Sequence, residues 1–351
     1  MNWRRGITTK RLENVHLIGQ NSVIRHFPER HVATVKNKKT LKYQLRLKGL
    51  DTPGGTIPLK ALQEVCEILL STAERGLRLA VEGSSVRPGR LPGWLTKSLD
   101  LTMTGIGKGS TIINIEAPYL GATAKEQIQQ QDFWHVVPQT DDTAFSLLSK
   151  SVHDMTAEEL ESDFFDRGIL ESVSQFQPFL KNYADKIELC CRTRPKERFK
   201  LGAAELEKIQ KLKAKTPEPR AVMLSGEFDA IEHSRKRFHL LLSNGESVLG
   251  VIDPTYLGVE DMRQFWGKKA TIKGIAHFRP SGRPRLIEAQ IIKPMESGDA
   301  VFSALPHVQT EASFVKELKE AEMKRGWLKE VWGKWPGDEP IEELLAALNT
   351  N

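Results

Sequence analysis

Arg237-Phe238-His239-Leu240-Leu241-Leu242-Ser243-Asn244-Gly245-Glu246-Ser247-Val248-Leu249-Gly250-Val251-Ile252 decides the architecture of the second half of the chain. Two apolar runs flank Asn244-Gly245, residues that tolerate the positive φ of a type I′ turn, so the stretch reads as a β-hairpin. Upstream, Ala221–Ile231 reads as a strand with Val222, Leu224 and Phe228 apolar. Downstream, Asp253-Pro254 stops the hairpin and Thr255–Trp266 has the length of a helix. Lys268–Phe278 and Pro284–Ile292 then form a second hairpin across Pro280-Ser281-Gly282-Arg283. Three meandering strands, a helix and a hairpin over residues 218–297 predict a five-stranded OB-like barrel, with an SH3-like barrel as the alternative.

Residues 40–217 read as an α+β unit. Tyr43–Leu50 alternates as a half-buried strand does, and Thr52-Pro53-Gly54-Gly55 breaks it. Leu59, Leu62, Val65, Cys66, Leu69, Leu70 and Ala73 form the apolar stripe of a helix that Gly76 is expected to end. A strand at Leu77–Val81 is expected next, then Ser98–Thr104 and Thr111–Glu116, paired through the glycine-rich turn 105–110. Helices are expected over residues 122–180, with Thr156-Ala157-Glu158-Glu159 as a capping box. Ile187–Cys191 reads as a buried strand, Leu201–Leu212 as a helix and residues 213–219 as a linker. The fold class is therefore α+β, with helices segregated to one face of a sheet. A barrel and a helical tail over residues 298–351 follow.

Charge is uneven. The chain carries a net +6, yet residues 1–48 hold twelve Lys/Arg against Glu13 and Glu29, a local +10, so the remainder is −4. Residues 1–39 are accordingly expected to form a basic, mostly unpacked arm. No apolar run reaches the ~20 residues of a membrane span, and the N-terminal stretch lacks the apolar centre of a secretory signal. Cys66, Cys190 and Cys191 make no disulfide framework, which points to a reducing, cytoplasmic setting.

The motifs of enzyme chemistry are missing. Gly105-Ile106-Gly107-Lys108-Gly109-Ser110-Thr111 departs from a phosphate loop because Gly109 separates the lysine from the hydroxyl and a strand follows. There is no CxxC, HExxH or GxSxG, and the acids Glu158, Glu159, Glu161, Asp163 and Asp166 read as a solvated helix face. No cofactor or metal is implied. An enzyme of unrecognised class in the α+β unit stays open as one alternative.

Two binding features stand out. In the barrel, Arg235, Lys236, Arg237, Phe238 and His239, with His277, Phe278, Arg279, Arg283 and Arg285, mix bases with aromatics, the ingredients of single-stranded nucleic-acid binding. Against this, Phe238 and Phe278 serve equally as core, and residues 220–299 hold twelve bases and ten acids, a weak balance. The tail is the sharper feature. Ile341, Leu344, Leu345 and Leu348 stand at i, i+3, i+4 and i+7, with Asp338 as the cap, Pro340 in the first turn and Glu342 and Glu343 near the positive dipole end. Ten residues do not hold a helix alone in water, so the leucine stripe packs on its own domain or on a partner.

Trp335-Pro336-Gly337-Asp338-Glu339-Pro340-Ile341-Glu342-Glu343-Leu344-Leu345-Ala346-Ala347-Leu348 resembles the C-terminal tails of bacterial antitoxins that pair with PIN-domain ribonuclease toxins. Such antitoxins are usually short, whereas this chain carries two further domains; the remainder resembles uncharacterised bacterial proteins. The resemblance implies a bacterial interaction protein. Trp335, Ile341, Leu344, Leu345 and Leu348 would be its anchors, and Asp338, Glu339, Glu342 and Glu343 would supply capping and charge complementarity toward a PIN-type partner.

Overall fold

The computed structural model describes residues 40–321 apart from 88, 108–110, 129–137, 233–235, 254, 307, 309, 311–313 and 316–318. The expected N-terminal arm and the C-terminal docking helix lie outside the described residues. The first half runs β1 (Thr40–Lys48), α1 (Leu59–Glu82), α2 (Gly93–Ser98), β2 (Thr102–Gly107), β3 (Thr111–Pro118), α3 (Leu120–Thr123) and α4 (Lys125–Ile128). It continues through α5 (Ala144–Thr156), α6 (Arg167–Ser174), α7 (Phe176–Tyr183), β4 (Lys186–Cys191), β5 (Arg198–Leu201) and α8 (Ala203–Lys215).

The strands form one sheet in the order β2-β3-β1-β4-β5, with every neighbouring pair antiparallel. Alternation decides its two faces. Leu41, Tyr43, Leu45 and Leu47 of β1, Ile113 and Ile115 of β3, and Ile187 and Leu189 of β4 are buried in one core with the apolar stripes of α1, α5, α6 and α8. The opposite face is polar, so helices are segregated to one side, as expected for this class.

Several boundaries differ from the sequence reading. Gly76 does not end α1; it is buried mid-helix, where α5 passes with Leu148 N 4.0 Å from the position of a Cβ. The helix continues through Leu77–Val81, which is therefore not a strand, and stops at Gly83. That residue takes φ +81° and returns its N–H to Leu79 O, an αL cap that glycine adopts without steric cost. Ser98 closes α2 rather than opening a strand. Thr156 ends α5, its hydroxyl donating to His153 O, so the expected capping box is absent there. The helix starts are capped instead by Thr143 before α5 and Asp166 before α6.

The second half runs β6 (Arg220–Glu232), β7 (Arg237–Leu241), β8 (Ser247–Ile252), α9 (Val259–Arg263), β9 (Lys269–Phe278) and β10 (Pro284–Pro294), followed by a 3₁₀ turn over Ser297–Phe302. These strands close a barrel in the order β10-β8-β7-β6-β9. The pair β8–β10 is parallel and the rest are antiparallel. A three-strand meander joined to a hairpin, with the third and fifth strands parallel, is the OB arrangement rather than the SH3 one. Gly245 sits in the expected hairpin at φ +82°. The expected helix over Thr255–Trp266 shrinks to α9. The chain turns at Asp253, whose carbonyl accepts from Tyr256 and Leu257, and Trp266 is spent on a bridge to Phe228.

Phe228 and Phe238 fill the barrel with ring centroids 4.8 Å apart, and Phe265 lies 5.9 Å from Phe228. Gly250 lies against the Phe238 ring, where a Cβ would overlap it. No helix among the described residues is long and apolar enough to cross a membrane.

Candidate functional site

Trp335, Asp338, Glu339, Ile341, Glu342, Glu343, Leu344, Leu345 and Leu348 all lie outside the described residues, as does Arg235. The other barrel candidates are placed, and they do not converge on a groove. Phe238 and Phe278 point inward, 0% and 3% exposed, so neither presents a face on which a base could stack. His277 Nε2 lies 3.3 Å from Glu288, and Arg283 reaches Glu246 at 3.4 Å. Lys236 is exposed at φ +55° in the β6–β7 turn, and His239 is half-buried on β7.

Arg237, Arg279 and Arg285 serve the junction between barrel and α+β unit. Arg237 Nη2 donates to Val81 O at 2.7 Å and Arg285 Nη1 to Gly83 O at 2.8 Å. These carbonyls are at the C-terminal end of α1, where free acceptors and the negative dipole end both favour cations. Arg285 reaches them because it is the extra residue of a bulge between Pro284 and Leu286, which re-aims its side chain. Its guanidinium is buried. Desolvation pulls its pKa below the usual arginine range, against the opposing pull of Asp166, and its Nε has no hydrogen-bond partner. Arg279 Nη2 donates to Asp163 at 2.6 Å. The cleft between these arginines and α1 encloses about 30 Å³, room for a water or two rather than a ligand.

A second polar cluster gathers at the start of α5. The Tyr43 hydroxyl donates to Glu197 Oε2 at 2.5 Å, and Ser146 Oγ donates to the same oxygen at 2.8 Å. Arg194 holds the other carboxylate oxygen at 2.9 Å, contacts Asp141 at 2.9 Å and lies 5.6 Å from the centroid of the Tyr119 ring. Burial, followed by the Glu197 carboxylate, pushes the Tyr43 phenol well above its ordinary value. The hydrogen bond to Glu197 raises Arg194 as well. Each of these groups is satisfied by its neighbours, so the cluster anchors the β4–β5 connection to the helix.

The open face of the sheet is different. Lys42, Arg46, Lys48, Lys186, Arg198 and Lys200 project from β1, β4 and β5 on the side away from the helices, against Glu116 and Glu188, a net of +4. Register places Cys190 between Gln44 and Arg198, and Glu188 between Arg46 and Lys200. Lys42 pairs with Glu116 at 3.6 Å, Lys48 with Glu188 at 2.8 Å and Lys200 with Glu205 at 3.7 Å. Arg46, Lys186 and Arg198 have no carboxylate partner among the described residues. Arg46 Nη2 donates to Gln44 Oε1 at 3.2 Å, and Gln44 donates on to Asn114 at 3.1 Å, while the buried Arg46 Nε is unpartnered. A groove of about 590 Å³ is lined by Arg46, Glu188, Cys190, Arg198, Lys200 and Lys208, among others.

The sequence reading missed this face because β5 is only four residues long, although Arg198-Phe199-Lys200-Leu201 does alternate. Among the described residues no three His, Cys, Asp or Glu side chains gather as metal ligands. The chain matches no protein-family model, no curated protein and no solved structure.

Proposed function

We propose that this chain is an interaction protein that engages a partner protein through residues 335–348. The observation that carries the reading is the spacing of Ile341, Leu344, Leu345 and Leu348 behind the Trp335-Pro336-Gly337-Asp338 step. At that spacing the expected ten-residue helix would carry four apolar side chains on one face, which need a surface to cover them. The partner class is a PIN-type ribonuclease, on the resemblance of the tail to antitoxins, and the setting is the bacterial cytoplasm.

Binding of single-stranded nucleic acid through Phe238 and Phe278 is not proposed, since both rings belong to the barrel core. The reading is tested by co-expressing the full chain with a PIN-domain ribonuclease encoded beside it. A stable complex with suppressed ribonuclease activity is expected, and two proteins that purify apart with full activity would overturn it.

A further inference from the structure

The charge on the open sheet face is built from side chains that the fold does not use. On β1, Leu41, Tyr43, Leu45 and Leu47 go to the core, and the alternate positions Lys42, Gln44, Arg46 and Lys48 are left to the other side. Two of the six cations there are neutralised by Glu116 and Glu188, and Lys200 is drawn toward Glu205. Arg46, Lys186 and Arg198 make no ion pair among the described residues. Register sets Lys48 directly across from Lys186, a like-charge pair that is unfavourable unless an anion lies across it.

We propose that this face binds the phosphate backbone of single-stranded nucleic acid. Two independent observations converge on it. One is the charge of Arg46, Lys186 and Arg198, none of which makes an ion pair among the described residues. The other is the groove of about 590 Å³ that runs from Arg46, Glu188 and Arg198 on this face past β5 to His153 of α5 and to Glu205 and Lys208 of α8, a place for an extended chain to lie. The amides of Gln44 and Asn114, half-buried beside Arg46, add polar groups for sugar or base edges.

The composition of the face selects the class of partner. A protein partner is met by a patch whose centre is apolar and aromatic. Here Ile112 is the one large aliphatic side chain among the outward residues of the three central strands, and none is aromatic. Nucleic-acid interfaces are polar and positively charged, as this face is. A sheet face suits the single strand, because a duplex groove is read by a helix or a two-stranded ribbon entering it. Without aromatic platforms the binding is tolerant of sequence, and its strength is that of counterion release. About three phosphate contacts give a slope of log K against log salt near −2 for a single strand.

The test is fluorescence anisotropy of a short labelled oligouridylate titrated with the full chain from about 50 to about 200 mM salt. Salt-dependent binding is expected. The exposed pair Arg198→Gln and Lys200→Gln should weaken it about tenfold near 0.1 M salt and flatten the slope by about 1. The melting temperature should be unchanged, and Arg198→Lys should retain binding. Arg46→Gln should weaken binding further; if that variant fails to fold, the exposed pair still decides. Removing three charges from the basic N-terminal stretch, Arg4→Gln, Arg5→Gln and Lys10→Gln, should have the smaller effect. The proposal is overturned by binding that the Arg198/Lys200 pair does not change, by an equal or larger loss from the N-terminal variants, or by preference for a duplex. Equal competition from polyglutamate would assign the face to an acidic protein instead, and also overturns it.

Discussion

The Arg237 guanidinium donates to the main-chain carbonyl of Val81, 2.7 Å away, from a barrel strand to the last turn of α1. This contact and that of Arg285 with Gly83 differ in what they cost. Both arginines are buried and each leaves its Nε without a hydrogen-bond partner among the described residues, and at Arg285 desolvation disfavours the charge of the guanidinium.

Arg237→Met is therefore expected to destabilise the folded chain by about 2 kcal/mol, the loss of a charged hydrogen bond with the Val81 carbonyl left buried. Arg285→Met should cost about 1 kcal/mol or less, because removing a poorly satisfied buried charge offsets the lost bond. Urea denaturation of the two variants measures the difference. Equal losses would show that Arg285 is as well accommodated as Arg237.

Tyr43 gives a pH dependence. Its phenol ionises far less readily when folded than in an open chain, where the ordinary value is about 10. Below that value both states are protonated and the full stability is present. As pH rises through and beyond it the unfolded state loses its proton first, so stability falls. Tyr43→Phe should cost about 1–2 kcal/mol at neutral pH, through the hydrogen bonds to Glu197 and Thr143. It should also flatten the decline of stability above about pH 10. An alkaline limb of the same steepness in the variant would place its origin elsewhere.

The barrel separates two uses of glycine. A Cβ at Gly250 overlaps the Phe238 ring, so Gly250→Ala should destabilise by about 2–3 kcal/mol or leave the barrel unfolded. Gly245 has open space around it and only its φ of +82° to defend, so Gly245→Ala should cost about 1 kcal/mol. Thermal melts that rank the two the other way would contradict this packing.

Much of the fold was legible because period-2 alternation and turn chemistry act locally. Asn244-Gly245 fixed one hairpin, and Tyr43–Leu50 revealed β1. What the sequence could not show were the places where tertiary packing outvotes local preference. Gly76 looked like a stop because only the passage of α5 explains a glycine within α1, and the real stop is Gly83. Phe238 sat among basic residues in the sequence, but strand alternation sends it inward and its neighbour Arg237 outward to α1. The open basic face escaped notice because its charges come from three strands far apart in the chain, brought together only by pairing of β1 with β4 and β4 with β5.

The most direct measurement of the account pairs a thermal melt with a binding titration for Leu344→Ala combined with Leu345→Ala. If the tail docks on a partner, the melting temperature of the free chain stays where it was. Affinity for the PIN-type partner then falls by several kcal/mol, since buried leucines cost about 2–5 kcal/mol each when cut to alanine. A large drop in melting temperature with partner affinity intact would contradict the claim and make the leucine stripe part of the chain's own core.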